Sequence, residues 1–362
     1  MNNLSASILQ LTFDKTNMKK LLLNGLLLFL PFLTFAQTDT TKTNDDFNFE
    51  DFGNADTKVA KTYCTQKVSY LSPTKLISIG YETQLPFHFS SVGIHGNSSA
   101  SSTAETHVNS FGGFRLGFNT PVISRSNFIL NLGLSYWNTK VSLANPERSA
   151  NLFSNLKALN SLGLNATVFK PFNNKNFLII QGNADLNGNY QNFSAINSKG
   201  LTFSGTAIYG WKKSDNMMWG IGATRTYRAG QVLHIPAILY NRTFNQKWGI
   251  ETIFPAKLHV RRNFSPSSYL MAGFEIEGNT YYLGDSPKGA DLYLRRGELK
   301  PRLMFEKKIT GFVWFSAQAG LRYNYRFNAF STQNPSSNQK LLFDNKLGNP
   351  LYFNVSINLV SP

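Results

Sequence analysis

Residues 312–327 read FVWFSAQAGLRYNYRF, and alternate positions demand opposite surroundings. Val313, Phe315, Ala317, Ala319, Leu321, Tyr323, Tyr325 and Phe327 are apolar or aromatic, whereas Ser316, Gln318, Arg322, Asn324 and Arg326 are polar or charged. Side chains two residues apart share one face of an extended strand, so this stretch predicts a strand with an oily face and a wet face. The period of two recurs in LISIGYE (76–82), ILNLGLSYW (129–137), SLGLNATV (161–168), FLIIQGNADLN (177–187) and LYFNVSINL (351–359).

A water-soluble sandwich alternates in the same way, and three further features separate the two. The alternating runs often reach ten residues or more, which suits a tilted membrane-crossing strand of about 9–11 residues and exceeds the roughly 5–6 of a soluble strand. Aromatics gather at run ends, at Tyr136–Trp137, Tyr209 and Trp211, Trp219, Trp248, Tyr281–Tyr282 and Tyr323 with Tyr325, as the interfacial girdles of a membrane barrel require. Finally, Met18, Lys19 and Lys20 precede the apolar run LLLNGLLLFLPFLTF and the small residues Thr34 and Ala36, which is the layout of a secretory signal peptide. Asn24, Gly25 and Pro31 interrupt that run, so it falls short of the roughly 20 apolar residues of a spanning helix. Residues 1–36 therefore read as an extension and signal peptide starting at Met18. Residues 37–75 read as a flexible acidic periplasmic arm and 76–362 as the barrel.

Composition agrees. Charged residues make up 15% of the chain and aromatics 14%, against roughly 25% charged in ordinary soluble domains. The net charge of +16 comes from Lys and Arg scattered along the sequence rather than clustered, which argues against a nucleic-acid partner. Cys64 is the only cysteine, so no intrachain disulfide forms. The histidines 88, 95, 107, 234 and 259 lack metal-ligand spacing, and neither a G-x-S-x-G motif nor a phosphate-binding glycine loop is present. No catalytic residue, metal or cofactor is assigned.

Turn chemistry sets the strand count. TPVISRSN (120–127), PFNNKN (171–176), KKSDN (212–216), FNQK (244–247), NFSPSS (263–268) and EKKITG (306–311) are short enough for periplasmic turns. The longer polar stretches 90–107, 143–155, 190–200, 283–290 and 329–349 read as extracellular loops. Alternation of short and long then demands a reversal near Pro255, since proline cannot donate to a central ladder, and Ala229–Gly230 supplies another tight outer turn. The prediction is an all-β, closed antiparallel transmembrane β-barrel of about 14 strands; if Pro255 marks only a bulge, the count is 12. Closure follows because lipid tolerates no unpaired sheet edge.

The signal ending FAQ, the segment YNRTFNQKWGIETIFPAKL (240–258) and the run 312–327 resemble Gram-negative outer-membrane barrels of the Bacteroidota type. More narrowly they resemble the domain of unknown function 6268 family, over roughly residues 65–360. The resemblance implies an outer-membrane location and a barrel, with outer-membrane lipid around it and the barrel-assembly machinery as a partner during biogenesis. It brings no activity. Barrels of this class commonly end on an aromatic residue that the assembly machinery reads, whereas this chain ends NLVSP; either Phe353 supplies that signal earlier or recognition is atypical.

Parity places charge on the inner face. Glu82, Arg115, Asp185, Arg242, Glu251, Lys257, His259 and Arg261 are expected to line the lumen, together with Glu275, Glu277, Arg296, Glu298, Lys300, Arg302, Arg322 and Arg326. An arginine or lysine facing lipid costs roughly 2–4 kcal/mol at the midplane, and opposite charges on neighbouring strands can pair. Such a lining suits either a passive channel for small polar or anionic solutes or a structural barrel that binds a partner through its outer loops. A barrel-embedded hydrolase is a weaker alternative.

Overall fold

The computed structural model describes residues 62–93, 102–144, 156–190, 196–285, 289, 291–336 and 341–361. The stretch read as a signal peptide and the expected arm as far as residue 61 lie outside them. Among the described residues, fourteen wall segments hydrogen-bond in sequence and the last returns to the first. β1 comprises Lys75–Gln84 and, beyond Pro86, Phe87–Gly93; β2 is Ser102–Arg125, β3 Phe128–Leu143, β4 Ala158–Pro171 and β5 Asn176–Gly188. Then follow β6 Leu201–Ser214, β7 Met217–Thr226, β8 Leu233–Thr243, β9 Trp248–Phe254 and β10 Lys257–Ser265. β11 is Ser268–Asp285 and β12 Asp291–Thr310; β13 joins Val313–Leu321 to Tyr323–Phe330, and β14 joins Phe343–Leu347 to Leu351–Val360.

Closure is made by β1 against β14, with Ile79 opposite Ile357 and Tyr81 opposite Val355. The reversal expected at Pro255 is present, since β9 ends at Phe254 and β10 begins at Lys257, and this turn makes the count fourteen rather than twelve. Connections at the end carrying the chain termini are two to four residues long, such as 215–216, 244–247 and 266–267. At the other end two expected loops shrink: β1 extends to Gly93 and β2 starts at Ser102, while β14 begins inside the stretch read as a loop.

Outward positions are apolar and exposed, with Leu164 at 60%, Ile79 at 56% and Val355 at 50%. Such a continuous apolar band with every strand paired is what a bilayer requires. The alternation in 313–321 survives intact, but β13 carries a register shift: Gly297 pairs with Arg326 while Glu298 pairs with Asn324, leaving Tyr325 as the extra residue. An extra residue in one strand moves the following side chains to the opposite face. Phe327 therefore turns inward and is 2% exposed.

β6 to β10 stop short at the loop end. The β10–β11 ladder begins at Lys257 opposite Glu275, and beyond it β11 meets β5 directly, parallel, with Tyr282 against Gly188. Asn279 Nδ2 donates to Asn187 Oδ1 (2.9 Å) across this junction. The β7–β8 turn leans against β12: Gly230 has φ +70°, and a Cβ there would lie 2.7 Å from the Arg296 carbonyl oxygen. Only glycine fits both constraints.

Candidate functional site

One strand carries the layers of the lumen in order. The inward residues of β12 are Leu292, Leu294, Arg296, Glu298, Lys300, Arg302, Met304 and Glu306, and their neighbours on β11 and β13 continue each layer. At the loop end Leu292 and Leu294 join Phe87, Phe89, Phe111 and Phe327 in an apolar packing that fills the interior.

Below it lies a belt of ions. Glu82 accepts from Arg115 Nη2 (2.6 Å), Lys300 Nζ (3.0 Å) and Arg322. Glu277 accepts from Arg115 (3.2 Å) and Lys300 (3.2 Å), and Glu298 from Arg296 Nη2 (2.8 Å). Aromatic faces hold the cations from the sides: Lys300 Nζ is 4.3 Å from the Tyr352 ring centre, Arg115 Cζ 4.2 Å from Trp137, and Arg296 Cζ 5.0 Å from Phe111. Lys300 and Glu298 are each 1% exposed, so each charge is satisfied by protein rather than by water.

Beneath the belt is a cavity of about 570 Å³, lined among others by Glu251, Lys257, His259, Glu275, Arg302, Glu306 and Gln318. Arg302 pairs with Glu275 (2.6 Å) and donates from Nε to His259 Nε2 (3.3 Å). Lys75 pairs with Glu306 (2.6 Å), which also accepts from Tyr269 and from Ser316.

The wall of this chamber toward the termini is partly the chain itself. Leu71, Ser72, Pro73 and Thr74 line it, so the segment from residue 62 onward, expected to be part of a flexible arm, is packed inside the barrel mouth. Val68 and Cys64 pack with Phe169, Phe177, Ile208 and Met218, and burial pushes the Cys64 thiol above its ordinary pKa. Cys64 N donates to the Asn173 carbonyl (2.9 Å) and Ser69 N to that of Asp215 (2.8 Å). Ser72 N donates to Glu251 Oε1 (3.0 Å), and Lys212 Nζ donates to Thr65 Oγ1 and the Lys67 carbonyl, both at 2.8 Å. Replacing Lys212 with methionine removes two charge-assisted bonds, each of the class that contributes about 1.5–3 kcal/mol. The expected result is faster protease cleavage within 62–74 while the barrel stays folded; an unchanged rate means the segment is held elsewhere.

The structure brings together most of the residues singled out by parity. Glu82, Arg115, Glu277, Arg296, Glu298, Lys300 and Arg322 form the belt, and Glu251, Lys257, His259, Glu275 and Arg302 line the chamber. Arg261 is fully buried against Glu251, and Asp185 lies on the inner side of β5 beside Asn187. Two expectations are corrected. Arg242 faces outward, because the inner positions of β8 are Ala237, Leu239 and Thr243; it stands at the rim, where an outward charge costs only about 0–1 kcal/mol. Arg326 is turned out by the bulge at Tyr325 and donates to the Ala229 carbonyl (3.1 Å). Trp137 and Tyr281, expected in the aromatic girdles, face inward, Trp137 lining the chamber and Tyr281 the apolar packing above it.

Sequence reasoning missed Glu306, Lys212 and the docked segment. Glu306 was legible, since it continues the even-numbered inner face of β12, but the stretch EKKITG also reads as a turn. No local signal marks the docking of 62–74.

The profile of a family described as a domain of unknown function (DUF6268) matches residues 99–360. No curated protein matches the chain. Among solved structures, the chain is similar to a FadL homologue from Pseudomonas aeruginosa, at 10% identity over 78% of this chain and 90% of that one, with a TM-score of 0.36. It is also similar to an outer membrane channel from Pseudomonas putida F1, at 12% identity over 81% and 99% of the two chains and TM-score 0.33. The toluene transporter TodX of Pseudomonas putida matches at 8% identity over 83% and 95%, with TM-score 0.31.

Proposed function

The chain belongs to the DUF6268 family, and from that premise we propose that it is an outer-membrane channel for small polar solutes, held in a closed state. The observation that carries this reading is the polar chamber of about 570 Å³ whose wall toward the termini includes a segment, 71–74, that belongs to no strand. A segment held by side-chain packing and a few hydrogen bonds rather than by a ladder can leave without breaking the barrel; a strand cannot.

The lining refines the solute class. Lys75, Arg115, Lys257 and Arg302 face Glu82, Glu251, Glu275, Glu277 and Glu306 across the chamber. The balance gives no reason for anions to be preferred. The excess of inward cations expected from sequence included Arg242 and Arg326, which point away from the lumen. A compact neutral or zwitterionic solute, able to meet both signs at once, matches the lining best.

Conductance in a planar bilayer tests the proposal. The full chain is expected to give rare openings, and a chain that lacks residues 62–74 and carries L294A and F327A in the apolar packing at the loop end frequent ones without selectivity for chloride over potassium. Silence from both proteins, each shown to be folded by heat-modifiable migration, rejects the channel. It leaves the second reading, a structural barrel, which the completeness of the ion belt favours.

A further inference from the structure

The outer wall at the turn end carries charge that the lumen does not explain. On β8, β9 and β10 the outward residues nearest the turns are Arg242, Trp248 and Arg262, with Phe244 and Lys247 in the β8–β9 turn and Phe264 at the foot of β10. Arg262 stands directly opposite Trp248 and Arg242 directly opposite Ile250, so the two arginines flank β9 diagonally. Arg242 Cζ lies 5.1 Å from the Phe244 ring centre, and Arg262 Cζ lies 5.3 Å from Trp248 and 5.6 Å from Phe264. Arg242, Lys247 and Arg262 are exposed, and none is in an ion pair among the described residues. The belt arginines, by contrast, each pair with a carboxylate. Arg242 and Arg262 are held by ring faces, and Lys247 stands exposed in the β8–β9 turn between them.

The charge continues around the same rim through Arg125, Lys175, Lys213 and the adjacent Lys307 and Lys308, all exposed, with the exposed carboxylate of Asp215 3.5 Å from Lys212. Toward the loop end the outer wall is mixed in sign, with Glu105 and Lys140 both exposed.

We propose that Arg242, Lys247 and Arg262, with Phe244, Trp248 and Phe264, form a docking surface for the phosphodiester headgroup of an anionic phospholipid in the leaflet at the turn end. The chemistry matches at both levels of depth. The rings occupy the interfacial zone where aromatic side chains settle, and the guanidinium forks reach past them to the phosphate plane, where planar bidentate donors suit phosphate oxygens. A basic residue near an anionic lipid surface contributes about fivefold in affinity. β9, spanning Trp248–Phe254, is the shortest of β6 to β10, so a lipid bridging β8 and β10 across it ties together the part of the wall with the shortest ladders.

The test uses the full chain folded into phosphatidylcholine vesicles that contain a minority of phosphatidylglycerol, with one lipid or the other brominated on its acyl chains. Bromine quenches tryptophan in contact with it; Trp248 sits in the patch, and the stacked outer pair Trp211 and Trp219 is replaced by phenylalanine in every protein compared so that Trp248 reports. The expected result is stronger quenching by brominated phosphatidylglycerol than its mole fraction predicts, an enrichment on the order of fivefold or more, lost at high salt as the charges are screened. In the triple variant R242Q/K247Q/R262Q the enrichment falls to about one while quenching by brominated phosphatidylcholine is unchanged, and K140Q at the other interface leaves it intact. Single variants R242Q and R262Q give intermediate values and serve if the triple variant does not fold. No enrichment in the unmodified protein, or an enrichment that survives in the variants, overturns the proposal.

Discussion

Replacing Glu82 with alanine is expected to make the barrel unfold more easily by about 3–5 kcal/mol, the penalty for leaving a buried ion without its partner. Glu82 is 7% exposed and receives Arg115, Lys300 and Arg322 together. Without it Arg322 keeps Glu298 as its ion-pair partner, and Arg115 and Lys300 fall back on Glu277, so four cations share two carboxylates out of water. Urea unfolding followed by the heat-modifiable band gives the number directly. A loss below about 1 kcal/mol, the scale of an exposed pair, means that water reaches the belt and that the lumen is open there. Replacing Arg326 with serine is the contrast, since it removes one hydrogen bond to a carbonyl on the outer side and is expected to cost about 0.5–1.5 kcal/mol, or up to 3 as a charged donor.

Replacing Val355 with arginine is the second large effect, an expected loss of about 2–4 kcal/mol. Val355 is 50% exposed, stands opposite Tyr81 on one side and Ala317 on the other, and lies near the middle of its strand. An arginine there faces hydrocarbon with no partner. The same substitution at Phe264, at the foot of β10, is expected to cost about 0–1 kcal/mol because the headgroups are within reach. Equal costs at the two positions contradict the placement of the apolar band in the bilayer; unfolding in vesicles measures both.

Two local rules made the barrel legible from sequence: a period of two and turn residues between runs. Pro255 shows how far these go. A proline lacking a donor between two short alternating runs had to be either a bulge or a reversal, and the loop-length rhythm selected the reversal. Parity likewise located Glu82, Glu298 and Lys300 on one side of the wall. It fails where one residue breaks the count, as at Tyr325, whose bulge sends Arg326 out and Phe327 in. A bulge is set by the partner strand, here Gly297 and Glu298, and leaves no mark in its own sequence. Parity is also silent about what an apolar face touches. Leu292 and Leu294 alternate just as lipid-facing residues do, yet they fill the lumen, because an apolar residue is satisfied by lipid and by other side chains alike. The packing of Val68 and Ser72 depends on contacts with strands more than one hundred residues away, and nothing in YCTQKVSYLSP announces them.

The direct meeting of Tyr282 and Gly188 has a consequence for how such a chain can vary. Because β5 and β11 touch above the intervening strands, the circumference at the loop end omits β6 to β10 and contains nine members, with that one parallel contact accommodating the odd number. The circumference at the turn end contains all fourteen. The two rims are thus separately sized. A hairpin gained or lost between residues 201 and 265 changes the girth of one rim and leaves the other as it was, so the width of the chamber and the seal above it are free to diverge between relatives without either being rebuilt.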